Sequence, residues 1–450
     1  MHSVLESGVV SIRALTVVTV AAMFYAYAMV VQVMPLAFIT PLVHELQLSG
    51  TDLGLLSSSF YWSYAPMQLV VGCLVARLGA RRVLNFAIPV CCLGGVLFAT
   101  SSSRLMLQIA RILMGGSTAC AFVSTLGLVV NWLPVHYYAL VSGAVGTLGA
   151  LGGAVGSEPV ALMLRYGSWR QIAGAIALVG GGLWLLNFLL VRDAPAEPMT
   201  DVGRCDRTAK YKYQGKATCH DCCRVVWERV ASLRRIVLAT VRMVGLDGWL
   251  VVGYSLLVWA PMLTFVVLWS APFLQVKMQM DSVAAGRMVV WCWLGLAFFS
   301  PLLGWYSERC GDRLKLMVAC AVIGAIALGT LLWLPCVVGL VAVVMLLIGL
   351  ASAGQSLSFM WVRDRYAAGS VSVVNGIVNF AIVLGGAIMP SLVGVILDHR
   401  LGILGGGMIA GHYGLQDYQV ALVVAPVCYL GAATLSWLVR WRSRRLSMES

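Results

Sequence analysis

An all-α membrane protein of twelve spanning helices, arranged as two pseudo-symmetric six-helix bundles, is the architecture implied by three features of this 450-residue chain. The first is composition: 60% hydrophobic residues against 11% charged leaves too little charge for a soluble domain, where charged residues run near a quarter. The second is segmentation, because a spanning helix needs roughly 20 apolar residues and stretches of that order recur along the whole chain. The third is an internal repeat. Gly72 to Leu84, GCLVARLGARRVL, returns as Gly304 to Leu316, GWYSERCGDRLKL, with glycine at the first and eighth positions, arginine at the sixth and leucine at the thirteenth. The offset is 232 residues, and Gly152-Gly153-Ala154 returns as Gly385-Gly386-Ala387 at an offset of 233. Two matches at nearly one spacing mark a duplicated membrane unit.

In chain order the apolar segments fall at 14–38, 53–76, 84–101, 105–131, 138–163 and 170–191, then at 246–274, 284–306, 314–334, 336–361, 371–397 and 416–440. The first segment is too long for the apolar core of a secretory signal, and no small-residue cleavage pattern follows it, so it is expected to be retained. The expected domains are a six-helix half at 1–191, a basic linker loop at 192–245, a second half at 246–441 and a tail at 442–450.

Lys and Arg are counted by side to orient such a chain. With the amino terminus inside, 24 of the 31 fall on the inner face, eleven of them between Arg192 and Arg242. Six fall outside, namely Arg104, Arg165, Arg170, Lys277, Arg287 and Arg400, and Arg111 lies within a segment. Both termini and the linker are therefore expected in the cytoplasm. The net charge of +13 is a topology signal and a contact with anionic headgroups; no nucleic-acid partner is expected.

The repeated stretches resemble the loop signature of the major facilitator superfamily, G-x-L-x-D-R-x-G-R-[RK], which joins the second and third helices and recurs between the eighth and ninth. The likeness extends to Leu107-x-x-x-Arg111-x-x-x-Gly115 and to Asn375-Gly376-Ile377-Val378-Asn379-Phe380, and covers the chain apart from 192–245. It implies alternating access, with Gly72, Arg77, Gly79, Arg81 and Arg82 and the second copy Gly304, Glu308, Arg309, Gly311 and Arg313 forming a cytoplasmic latch between halves. The other reading of the arginines is as topology determinants only. Ala76 stands where the signature has aspartate, whereas Glu308 keeps an acid. Phrases such as Phe60-Tyr61-Trp62-Ser63-Tyr64-Ala65-Pro66-Met67-Gln68, Gly156-Ser157-Glu158-Pro159 and Trp269-Ser270-Ala271-Pro272-Phe273-Leu274 resemble bacterial Pht-type importers, which implies an amino-acid or related nutrient.

Charges at membrane depth are costly unless paired or facing water, so Arg111 and Glu158 are the sharpest site candidates. At 1.5 Å per residue both lie roughly 8 to 11 Å below the outer boundary and are placed to meet. Arg111 is expected to serve a substrate carboxylate or a charge gate, and Glu158 to pair with it or carry a coupling proton. A permanent ion pair holding helices in register is the competing reading. Polar residues at membrane depth add Gln32, Tyr61, Tyr64, Gln68, Gln355, Asn375 and Asn379, with Trp259, Trp269, Trp291 and Trp293 as possible cavity walls. Glycines Gly143, Gly146, Gly149, Gly152 and Gly156, every third or fourth residue, suit a close or sliding helix contact, which the resemblance assigns to the opposite half.

The loop cluster Cys205, Cys219, His220, Cys222 and Cys223 lacks two well-spaced C-x-x-C pairs, so no metal is expected; Trp227 to Arg235 has the pattern of a surface amphipathic helix. No phosphate loop, H-E-x-x-H or G-x-S-x-G occurs, so neither an enzyme nor a cofactor is expected. The leading expectation is a monomeric secondary transporter of a bacterial inner membrane, importing an amino acid or related organic anion with protons. Drug or metabolite export is the alternative within transport, and a non-transporting receptor or scaffold the alternative outside it.

Overall fold

Helix starts follow the local chemistry of their caps. Ser49 accepts from the Asp52 amide while Asp52 returns the bond to Ser49, and Ser168 and Gln171 do the same. Asp281 and Asp312 each accept one backbone N–H of the helix they precede, filling donors that a helix end leaves free. The structure, a computed structural model, describes residues 11–134, 137–193, 244–366, 368–400 and 413–449. Among these, twelve spans follow in order: α1 Ile12–Leu46, α2 Gly50–Leu78, α3 Ala80–Ala99, α4 Arg104–Trp132, α5 Tyr138–Met163 and α6 Trp169–Leu190 form one bundle. The second bundle is α7 Gly245–Met278, α8 Ser282–Cys310, α9 Arg313–Trp333, α10 Val338–Arg365, α11 Ala368–Arg400 and α12 Leu415–Arg445. Residues 194–243 of the linker, with the cysteine cluster and the surface helix expected at Trp227 to Arg235, lie outside the described residues.

Eleven of these helices are long and apolar enough to cross a membrane, by length and composition. α2 is the exception at 29 residues, because Ser57, Ser58, Ser59, Tyr61, Ser63, Tyr64 and Gln68 interrupt it. Ser57, Ser58, Tyr61 and Gln68 are buried, against protein or the central cavity, where polar side chains find partners that lipid cannot supply.

α1, α4, α7 and α10 are each interrupted in mid-span. α1 breaks at Met34, ahead of Pro35; α4 at Ala119; α10 at Gly354 and Gln355; and α7 widens into a π-turn over Met262–Trp269. The spacing of three helices is that of a three-helix unit used four times. α12 has a further short break at Val423, near its start.

The eighth-position glycines of the two signature copies have one cause. Gly79 and Gly311 sit at φ +83° and +66°, a region that costs side-chain-bearing residues about 1–2 kcal/mol. Gly72, by contrast, faces open space. The recurring Gly-Gly-Ala also resolves into a pattern: the first glycine faces its own bundle, and the second reaches the opposite one, at Gly386 together with its own. A Cβ on Gly152 would lie 2.2 Å from the Ala26 carbonyl of α1, and on Gly385 3.0 Å from Ala260 of α7. On Gly153 it would enter the Trp293 ring of α8 at 2.6 Å, and on Gly386 it would meet Leu263 of α7 at 2.7 Å and Tyr61 of α2 at 2.8 Å. The stripe of glycines on α5 is therefore a correction: Gly149, Gly152 and Gly156 grip α1 of the same half, and a Cβ added at Gly143 or Gly146 would meet nothing within 4 Å.

The α9 cap ties the second bundle together at the arginine-rich face. Asp312 Oδ2 accepts from Arg440 Nε at 3.0 Å and Nη2 at 2.7 Å, and Oδ1 from the Lys315 amide at 2.9 Å. Partial burial pushes the Asp312 carboxyl up, but the Arg440 bond, the Lys315 amide and the Arg440 and Arg444 charges outweigh it and hold the group below the usual carboxylate value. A depressed folded value means stability that is present above about pH 4 and lost as pH falls through the folded value. Wild-type protein in detergent should lose about 1–2 °C of melting temperature across pH 5 to 3 beyond the loss shown by Asp312→Asn; equal slopes would remove Asp312 from the acid response.

Candidate functional site

A cavity of about 800 Å³ lies between the two bundles. Its deep wall carries Gln32, Tyr61 and Trp293, and it widens past Gln68 and Gln355 toward Gly72, Val75 and Val130 at the arginine-rich face. There, Cβ atoms added at Gly72, Gly143, Gly146 or Gly376 would meet nothing within 4 Å, so the halves stand apart. At the arginine-poor face they are pressed together. A Cβ on Gly394 of α11 would lie 2.2 Å from the Gly50 carbonyl, and one on Gly54 2.5 Å from the Pro390 carbonyl.

Polar bonds across the halves gather on the closed side. Asp398 Oδ1 accepts from the Gly50 amide at 2.9 Å and Oδ2 from the Thr51 amide at 2.8 Å, while Tyr413 donates its hydroxyl to the same carboxylate. Ser391 and Ser58 hydroxyls meet at 2.8 Å, Arg287 pairs with Glu158 at 2.8 Å, and Arg165 with Asp281 at 3.0 Å. Of the six cations expected on this face, five hold carboxylates, including Arg104 with Asp52, Arg170 with Glu45 and Arg400 with Asp417. The sixth, Lys277, donates to the last carbonyls of α9, Leu331 and Leu334 among them.

The signature cations bond within their own halves. Arg81 Nη2 donates to Phe188 O at 3.1 Å and its amide to Asp193 at 2.8 Å; Arg313 pairs with Asp364 at 2.6 Å, Glu308 meets Arg363 at 3.7 Å, and Arg309 lies over Trp305. Arg77 and Arg82 meet no carboxylate among the described residues. A latch between halves is thus not formed in this conformation, which is open on that side.

Arg111 and Glu158 do not meet, and the physical reason is the break in α1. A helical residue at 35 would donate its N–H to the Val31 carbonyl, but proline has none. Arg111 Nη1 fills that acceptor at 2.8 Å and Nη2 reaches Gln32 O at 3.3 Å, with the guanidinium 4.5 Å from the Phe60 ring. The side chain is fully buried, its Nε has no partner, and no carboxylate pairs with it among the described residues. It sits one layer behind the cavity wall, beneath Gln32, whose Nε2 donates to the Tyr61 hydroxyl at 3.1 Å.

The remaining expected residues divide. Gln32, Tyr61, Tyr64, Gln68, Gln355, Asn375 and Asn379 line the cavity, as do Trp259 and Trp293, and Asn379 Nδ2 donates to Gln68 Oε1 across the halves at 2.8 Å. Trp269 is a correction: it is fully buried, its Nε1 directed at the Pro390 carbonyl at 3.4 Å, and it lies outside the cavity lining. Trp291 is 40% exposed on the outside of α8. Asp398 and Tyr413 were not singled out by sequence; an acid within the last turn of an otherwise apolar helix is the signal that marks the first.

Comparison with known proteins agrees with this architecture. The family model described as Major Facilitator Superfamily matches residues 16–390 and again 264–449. A hexuronate transporter of Bacillus subtilis is 24% identical over 378 residues, spanning 82% of this chain and 84% of its own. The probable sulfoacetate transporter SauU of Cupriavidus necator is 28% identical over 156 residues, so that the match covers only 36% of that protein. Among solved structures, a bacterial homologue of the human lysosomal transporter Spinster, in an inward-facing and unoccupied conformation, superposes with a TM-score of 0.70 at 15% identity, over 95% of this chain and 97% of that one.

Proposed function

The chain belongs to the Major Facilitator Superfamily, and we propose that it is a secondary carrier that moves a small organic anion by alternating access, its arginine-rich face in the cytoplasm of a bacterial inner membrane. The observation that carries this reading is Arg111: a fully buried guanidinium with no carboxylate partner, behind a cavity whose wall holds no charged side chain, both among the described residues. A unit anion roughly 6–8 Å from such a charge gains about 2–3 kcal/mol at an effective dielectric near 20, and the wall offers no negative group to oppose it. The relatives support the anionic class, since their names specify hexuronate and sulfoacetate. An amino acid brings an ammonium that an acid-free wall does not welcome, so the acid rather than the zwitterion is favoured.

Proteoliposomes containing the purified protein test this with labelled glucuronate, sulfoacetate and alanine, with and without an inward proton gradient. Accumulation of an acid supports the carrier, while well-folded protein that moves none of them points to export of another solute or to a receptor role.

Proton coupling is assigned to Glu158. Its cation, Arg287, belongs to the other half, so opening the arginine-poor face separates the pair and frees the carboxylate for that role. Glu158→Gln should still exchange substrate across the membrane but lose stimulation of uptake by the gradient. Gradient-driven uptake that survives in this variant rules the residue out.

A further inference from the structure

The polar groups of the cavity fall into two sets. Gln32 with Tyr61 and Gln68 with Asn379 satisfy one another. Four polar atoms in the lining have no partner: Gln355 Nε2 and Oε1, Asn375 Oδ1 and Trp293 Nε1. They are four of only ten such buried side-chain atoms among the described residues. All four belong to the second half, on α10, α11 and α8. Buried polar groups are normally hydrogen-bonded, and leaving one bare costs free energy, so a cluster of them around a cavity marks a place where something else completes them.

Gln355 anchors the set. It lies at the break of α10, where the backbone turns between Ala353 and Ser356, and is only 6% exposed. Because both ends of its amide are bare, exchanging oxygen and nitrogen changes nothing. Trp293 is held in place by Gly153, whose missing Cβ gives its ring room.

We propose that Gln355, Asn375 and Trp293 form a hydroxyl-reading subsite in the second half, and that the transported anion is therefore a hydroxylated acid. The inference rests on the anion reading given above. The subsite presents two kinds of donor, the Gln355 amide N–H and the Trp293 indole N–H, and two acceptors, Gln355 Oε1 and Asn375 Oδ1, all uncharged. A hydroxyl both donates and accepts and completes a mixed set of this kind. An ammonium has only protons to give and leaves the two donors bare; a second carboxylate has only lone pairs and leaves the acceptors bare; a methylene completes nothing. A site built to bond a hydroxyl discriminates strongly against an analogue that lacks it, because the site's own polar groups are then buried unpaired.

The test is calorimetric binding to the full-length purified protein in detergent, with four probes on one six-carbon skeleton. These are gluconate, hexanoate without hydroxyls, 2-amino-2-deoxygluconate with one ammonium, and glucitol without the carboxylate. Gluconate should bind at least tenfold more tightly than hexanoate and the amino acid. Gln355→Leu, with unchanged melting temperature and elution, should weaken gluconate at least tenfold and leave hexanoate unchanged. Trp293→Phe, which keeps the ring, should lose part of the same preference. Hexanoate binding as tightly as gluconate in the wild type overturns the hydroxyl subsite while sparing the anion reading, and needs no variant. Glucitol binding as tightly as gluconate overturns the anion reading and spares the subsite. An equal loss for gluconate and hexanoate in Gln355→Leu, or no binding of any probe, overturns the proposal.

Discussion

Arg111→Leu should lower the kcat/KM of anion uptake about a hundredfold or more while leaving a folded protein. The electrostatic part follows from removing the one positive charge behind an uncharged wall, about 2–3 kcal/mol at an effective dielectric near 20, which is close to two decades of rate. The packing part is smaller. Replacing a buried charge by an apolar residue of similar bulk is often neutral or stabilising, but here it also bares the Val31 carbonyl that Pro35 cannot fill, at about 1–3 kcal/mol. Arg111→Lys separates the two roles. It keeps the charge and one bond while losing the fork that spans Val31 and Gln32, so uptake should persist with a raised KM. Were Arg111→Leu to transport acids at wild-type efficiency in proteoliposomes, the charge would have no part in recognition and the residue would serve only to bridge the broken helix.

The scale of the fold is written in the chain because lipid imposes it. Twelve segments, their order and the arginine asymmetry need only length, apolarity and charge counting, and the described helices follow that order. The eighth-position glycines are legible for a local reason too, since a positive φ is a property of one residue. Pairing is not local. Arg111 and Glu158 sit at similar depths, and depth alone suggested that they meet; what parts them is a proline lacking an N–H on α1 and an arginine, Arg287, on α8. Trp269 and Trp293 look alike in sequence, yet one is sealed in the contact with α11 and the other lines the cavity. Among seven polar candidates, which are already satisfied depends on partners 29 to 311 residues away, beyond any periodicity. The duplication is the intermediate case: it revealed that two Gly-Gly pairs are equivalent, and only packing reveals that in each the first glycine meets its own half alone and the second reaches the other.

Gly54→Val should stop transport by removing one of the two end states, without unfolding either bundle. A Cβ at Gly54 would stand 2.5 Å from the Pro390 carbonyl and 2.7 Å from Ser391 Cα. Both obstacles are backbone, so no rotamer relieves them. The contact exists only between halves, and only while the arginine-poor face is closed. The same face is held by Asp398, which fills the Gly50 and Thr51 amides from the opposite half, a charge-assisted cap on orphan donors at the positive end of α2. A valine wedge therefore opposes the closed face with overlap that α2 and α11 escape by separating. The state opening to the arginine-poor side becomes the populated one, and a carrier confined to one state does not cycle. Uptake should fall at least a hundredfold, and hydrogen exchange should rise in peptides spanning 50–58 and 390–398. The melting temperature should stay near that of the wild type. Gly115→Val is the contrast, because there the added Cβ would stand 2.0 Å from the Phe60 carbonyl within a single bundle, and no movement of the halves relieves it; that variant should lose folded protein. Wild-type uptake in Gly54→Val would mean that the α2–α11 contact is not part of the cycle.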